Sequence, residues 1–274
     1  MREFFGFGGY QREVEGYFSW QHILFVTCFM AVMVTSAIIL GKWARHKSDK
    51  EKNLVLIIAA ILIDAFELLK IVIVCVRSSD PMAWLYDLPL FLCSIQLITI
   101  PLAAFSKGRV KDASLDFVFI FGILGAVLGT YLAGNNYSSY PVLSFDNTVS
   151  AITHSISGFA SLYIVISGME SMRKKNIPIT YAILSSFCIM AYIANVLLPY
   201  NYMFLMRGDG TPYDILYNLV GGNPVIYPLL VVVLFLLYIA AFYGVYYLID
   251  KKVKGASLAK YREITEETNE VVNV

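Results

Sequence analysis

LVLIIAAILIDAFELLKIVIVCV, residues Leu54–Val76, decides the fold. It is long enough to cross a bilayer, which takes about 20 mostly apolar residues. Yet Asp64, Glu67 and Lys70 stand in it at intervals of three. Residues three apart lie on neighbouring positions of one helix face. At the centre of a bilayer each such charge costs about 2.5–3.5 kcal/mol on insertion scales. A chain keeps them where they face a protein interior, pair with one another or bind something. The stretch therefore predicts a membrane helix that presents a polar site to its neighbours.

The rest of the chain agrees with a membrane setting. Of its 274 residues 58% are hydrophobic and only 15% are charged, and the mean hydropathy is +0.66. A soluble domain normally carries about 25% charged residues. Seven stretches reach spanning length, at about 20–41, 54–76, 86–105, 113–134, 147–168, 179–199 and 225–249. The third is the least regular and carries Pro89, Cys93, Gln96 and Pro101.

Basic residues set the orientation, because Lys and Arg accumulate in short cytoplasmic loops. Lys42, Arg45, Lys47, Lys50 and Lys52 follow the first stretch. Lys107, Arg109 and Lys111 follow the third, Arg173, Lys174 and Lys175 the fifth, and Lys251, Lys252 and Lys254 the seventh. The opposite side holds only Arg2, Arg12, Arg77 and Arg207. The expected fold is an all-α bundle of seven transmembrane helices, with the N-terminus out and the C-terminus in. Trp20, Trp43 and Trp84 fall at predicted helix ends, where amphipathic rings meet the interface.

Three regions follow. Residues 1–19 lack the apolar core and cleavage site of a signal peptide and read as an outer interfacial segment. Residues 20–249 form the transmembrane domain. Residues 250–274 read as a polar cytoplasmic tail, mobile or a short frayed helix. The short loops suggest a bacterial plasma membrane.

Several chemistries are excluded. Cys28, Cys75, Cys93 and Cys188 lie in different helices with no CxxC, so no metal motif is present and each reads first as a small buried apolar residue. No HExxH, GxSxG, P-loop or basic nucleic-acid patch occurs, and no cofactor is expected. Asn136-Tyr137-Ser138 fits a glycosylation acceptor only in a secretory cell.

Depth groups the remaining polar residues. Cys93 and His154 are each the eighth residue of an inward-running helix, about 10 Å below the outer boundary. Lys70 and Glu67 lie about 9 and 13 Å below it, and Asp64 near the midplane. Asn195 and Asn201 fall at the outer end of the sixth helix, and His22 at the outer entry of the first. With Gln96 they outline one cavity open toward the outside, and polar groups thin out toward the inside. The alternative is structural: Lys70 pairs with Glu67, and the amides and His bridge helices.

LPLFLCSIQ (Leu88–Gln96) resembles the LPLxLC signature of the YwaF-type integral membrane proteins. HSISGF (His154–Phe159), NYMFLMRGDGTPYDIL (Asn201–Leu216) and SWQHILF (Ser19–Phe25) resemble further segments of that family, over about residues 17–249. Glu67 matches loosely the acidic position of its second helix. Many members have His where this chain has Phe91, so any role of that His is absent or moved here. The family is similar to a wider group of animal multispan proteins, some proposed as lipid acyltransferases or lipid-ester hydrolases. The resemblance implies Cys93 as nucleophile and His154 as base, acting on a lipid or acyl substrate drawn from membrane lipids. A nearby histidine can generate the thiolate, and an amide such as Asn201 would serve the oxyanion. Two other readings stand beside this one. The Asp64, Glu67, Lys70, Gln96 and His154 cluster would suit a transporter or a small-ligand site. The loop 200–224 and the tail would suit a non-catalytic interaction protein.

Overall fold

The computed structural model describes residues 2–272, with side chains described for residues 2–253. Among the described residues the chain is helical, without strands. Its helices are α1 (Trp20–Ala44), α2 (Asp49–Ser78), α3 (Gln96–Phe105), α4 (Gly108–Tyr131), α5 (Gly134–Ser139), α6 (Phe145–Ser167), α7 (Ile177–Leu197), α8 (Asp214–Leu219) and α9 (Ile226–Val272). The expected polar tail falls largely beyond residue 253, where side chains lie outside the described set; its backbone continues α9.

Local chemistry sets the helix ends. Ser48 and Glu51 close a reciprocal capping box at the start of α2, which satisfies two otherwise orphaned N–H groups. The Ser144 hydroxyl accepts from Asn147 N to open α6. Gly168, at φ +73°, closes it in the left-handed conformation that a Cβ disfavours.

Among the described residues five helical stretches are long and apolar enough to cross a membrane: Trp20–Ala44, Gly108–Ser139, Phe145–Ser167, Lys174–Leu197 and Ile226–Val253. Their outward faces are apolar, with Val32, Ile39, Ile193, Leu229 and Leu237 exposed. α2 is longer than most of these, at 30 residues, and it alone carries three charges in its apolar middle.

The predicted third span, 86–105, is not one helix. It is a 3₁₀ turn at Ala83–Asp87, an irregular segment at 88–95, and a helix of 10 residues, Gln96–Phe105. Ten residues rise only about 15 Å. The cause is local and tertiary together. Leu88 precedes Pro89 and is extended, at ψ 144°, as a residue before proline tends to be. The Ser94 hydroxyl accepts from Phe91 N at 3.0 Å and meets Phe91 O at 3.1 Å, replacing helical bonds with side-chain ones. The Phe91 ring then wedges among Tyr200, Tyr202 and Phe204, with centroids 6.0, 5.3 and 5.9 Å away.

α4 is the hub and enters all three buried clusters. Phe117, Ile120 and Phe121 pack with α7, α9 and the Tyr202–Leu205 loop. Leu115 and Val118 pack with Leu56 and Ile63 of α2, Ile100 of α3 and Ile164 of α6. Ala126 packs with Val26, Met30 and Met33 of α1. Small residues let α6 approach: a Cβ at Gly122 would lie 2.7 Å from the Ser157 carbonyl oxygen. Close backbone approach over small residues is how helices associate in lipid.

Residues 2–19 fold over one end of the bundle. Arg77, in the last turn of α2, forms a two-bond pair with Asp146, in the first turn of α6, at 2.6 and 2.9 Å. Tyr10 donates to the same carboxylate, and Arg77 also donates to Phe5 O at 3.2 Å. Phe5 packs against Phe145 at 5.1 Å, and Phe145 N donates to Phe4 O at 2.8 Å. Burial, reinforced by the bond to Asp146, pushes the Tyr10 hydroxyl up to about 12, so Tyr10 remains a donor at neutral pH.

Candidate functional site

The site is built where the broken third segment meets α2, α4 and α6. Lys70 Nζ lies 2.5 Å from Glu67 Oε1 and 3.0 Å from Asp87 Oδ1. Asp87, the end of the 3₁₀ turn, was not singled out from the sequence. It holds the start of the broken segment against α2. One cation between two carboxylates leaves a cluster of net charge −1 when all three are ionised.

Asp64 does not join this ion cluster. It is half-buried and faces a shallow groove of about 500 Å³ between α2 and α3, lined also by Leu97, Pro101 and Phe105. The triplet thus divides: Glu67 and Lys70 point to the broken segment, whereas Asp64 borders the short helix below it.

Cys93 lies in the turn just before α3, and is half-buried. A Cβ built on Gly125 of α4 would lie 3.5 Å from Cys93 Cβ. The His154 ring, on α6, comes close to the backbone of Gly125. The same ring lies flat over Gly129, where a Cβ would sit 2.1–2.5 Å from three of its atoms. Cys93 and His154 therefore rest on one face of α4, about one turn apart. Lys70 is within electrostatic range of both, and Glu67 and Tyr213 within range of Cys93. The glycine spacing 122, 125, 129 was the available signal for this face. It was missed because a small residue shows its purpose only when its neighbour is known.

The other expected residues have different tasks. Asn195 exchanges two bonds with Tyr202, accepting from its N–H at 2.6 Å and donating to its carbonyl at 2.9 Å. Asn201 donates to Arg207 O at 2.7 Å and Asp209 Oδ2 at 2.8 Å, and accepts from Met206 N at 2.9 Å. Both amides hold the Tyr202–Leu205 loop, in which Met203 and Phe204 have φ of +53° and +55°. Such backbone costs about 1–3 kcal/mol per residue and persists only where its surroundings over-determine it. The Asn201 amide is thus engaged within its own loop. His22 is buried: its Nδ1 accepts from Phe18 N at 3.2 Å, its Nε2 meets Thr130 O at 3.1 Å, and its ring stacks on Tyr137 at 3.8 Å. It locks α1 to the end of α4. Gln96 is buried at the first turn of α3, with its Oε1 3.0 Å from Thr99 Oγ1.

Two further corrections concern burial. Cys28 is exposed on the apolar outer surface, while Cys188 is buried with its Sγ 3.7 Å from Met203 Sδ. The far end of the bundle is also less apolar than expected. Asp116 of α4 is fully buried and accepts from Met172 N at 2.7 Å, Asn176 Nδ2 at 3.0 Å and Tyr243 Oη at 3.1 Å. Among the described residues no three His, Cys, Asp or Glu side chains converge to hold a metal ion.

A multi-pass helical membrane protein with a polar site at a broken segment is the class that these features define. The profile of the TMEM164 family, a multispan membrane family, matches residues 17–246. The chain belongs to the TMEM164 family. No curated protein and no solved structure matches it.

Proposed function

We propose that the protein is a lipid-directed acyltransferase or lipid-ester hydrolase in which Cys93 is the nucleophile and His154 the base. The observation that carries this reading is the shared seat of the two side chains on the Gly125–Gly129 face of α4. Cys93 gives its thiol proton to His154, and the sulfur attacks the ester carbonyl carbon of a membrane lipid. The tetrahedral adduct collapses, the carbon–oxygen bond to the lipid breaks, and His154 returns the proton to the leaving oxygen. A second alcohol, or water, then attacks the thioester, and His154 takes its proton and delivers it to the departing sulfur. Each step fits the roles of an activated thiol and its base.

In this reading the chain crosses the membrane seven times, α2 and the broken third segment included, with the N-terminus outside. The loop charges support that orientation. The ester enters sideways from the bilayer. A transporter would need a mobile charge along its path, whereas Lys70 is held by two carboxylates at once.

The test is labelling of the purified protein by an electrophilic acyl-lipid probe. Wild type is expected to form a thioester, and Cys93→Ala and His154→Ala to form none. Labelling that survives both substitutions sinks the reading. Topology is tested separately with an impermeant thiol reagent at Ser138→Cys and Lys174→Cys. The two positions are expected to react from opposite faces, and reaction from one face refutes seven crossings.

A further inference from the structure

With Asn201 engaged elsewhere, the Cys93 reaction still needs donors for the negative charge that forms on the carbonyl oxygen. The turn that leads into α3, with the first residue of that helix, holds them. The backbone N–H groups of Cys93 and Ser94 lie close to the Cys93 sulfur, and among the described residues neither donates to a backbone carbonyl. They stand in the irregular turn ahead of α3, outside any intrahelical ladder. Three residues beyond Cys93 stands Gln96. It is 1% exposed. Its Oε1 is taken by Thr99, and its Nε2 has no acceptor among the described residues. A buried N–H without a partner is expensive, and such a group calls for an explanation.

We propose that Gln96 Nε2, with the Cys93 and Ser94 amides, forms the oxyanion site for the carbonyl oxygen of a lipid carboxylic ester. This assignment rests on the nucleophile role of Cys93 and names the substrate class of that site. All three donors are neutral. Lys70, the cation within electrostatic range of the sulfur, is already shared by Glu67 and Asp87. Neutral donors beside an anionic cluster suit an uncharged ester carbonyl that acquires charge only in the transition state. They do not suit a phosphate, which arrives charged. Donors held ready for a charge that develops later are the arrangement that lowers such a barrier most. The unpartnered amide is then the cost, in the resting protein, of a bond made only during reaction.

The experiment uses the full chain in phosphatidylcholine nanodiscs. One readout is transfer of a fluorescent acyl chain from a phosphatidylcholine probe to Cys93. A second is alkylation of Cys93 by iodoacetamide, which passes through no oxyanion. A third is the thermal midpoint. Gln96→Glu keeps the shape and removes the donors. Gln96→Met removes the unpartnered amide altogether. Both are expected to lower acyl transfer roughly 10²–10³-fold while alkylation stays at the wild-type rate. Gln96→Met is expected to raise the midpoint, because a buried orphan donor is gone. Acyl transfer that stays at the wild-type rate in Gln96→Met overturns the assignment. So does a parallel loss of alkylation, which marks Gln96 as packing only. Acyl transfer that persists in Cys93→Ala overturns the nucleophile role, and the Gln96 assignment falls with it.

Discussion

Gly129→Ala is expected to leave the chain folded and to lower acyl-probe labelling of Cys93 by roughly 10²-fold, the cost of displacing a reacting group by about 1 Å. The added Cβ would sit 2.1 Å from His154 Cε1 and 2.4 Å from Nε2. These are the outer atoms of a side chain, so the ring swings away and the backbones keep their places. Overpacking of this kind costs about 1–3 kcal/mol. Two neighbouring glycines provide controls on the same helix face. At Gly125 the new Cβ meets Cys93 Cβ at 3.5 Å, an ordinary contact, and labelling should persist. At Gly122 it meets the Ser157 carbonyl oxygen at 2.7 Å. Backbone cannot swing aside, so Gly122→Ala should lower the thermal midpoint without a selective loss of labelling. Equal labelling in Gly129→Ala and Gly125→Ala would show that the His154 ring does not need its seat.

Asp116→Ala should be the most destabilising single substitution at the opposite end. It removes an acceptor from three buried donors, Met172 N, Asn176 Nδ2 and Tyr243 Oη; Asn176 Nδ2 keeps Ser171 Oγ and Tyr243 Oη keeps Thr180 Oγ1, so Met172 N is the one left bare. An unpaired buried donor costs about 1–3 kcal/mol and each lost bond to a charged group about 1.5–3 kcal/mol, so the expected loss is about 3 kcal/mol or more. The effect should concentrate where α4, the α6–α7 connection and α9 meet, since those are the elements the carboxylate joins. Hydrogen exchange around residues 171–177 and 243–247 checks this. Protection that stays at the wild-type level there would show that the carboxylate is dispensable. Acyl-probe labelling measured at low temperature should survive, because the Gly125–Gly129 face belongs to a different part of α4.

The contrast between the two sites explains what the sequence could reveal. Charges inside apolar stretches were legible, because their cost in lipid does not depend on who the neighbours are. That reasoning found Glu67, Lys70 and Asp64. It did not find Asp87, which lies in a loop where a carboxylate is unremarkable until Lys70 is seen beside it. Asp116 escaped for a related reason. It stands near the basic start of α4, where an acid reads as surface charge, and only its three donors show that it is buried. The helical character and the long apolar helices followed from composition. The break in the third segment did not follow. Pro89 warned of it, but the Phe91 wedge among Tyr200, Tyr202 and Phe204 joins residues more than 100 positions apart. Asn195 and Asn201 were legible as polar residues, but type alone does not separate an amide that holds a loop, as both do here, from one that meets a substrate.

The docking of the first residues sets an order on biogenesis. Tyr10 and Asp146 are 136 positions apart. At translation rates of about 5–20 residues per second, the strap has no carboxylate to meet for roughly 7–30 s after it is made. Through that interval Phe4, Phe5 and Tyr10 have no protein surface to cover them. Closure of this segment over the α2–α6 end therefore belongs to the late stages of assembly rather than the beginning.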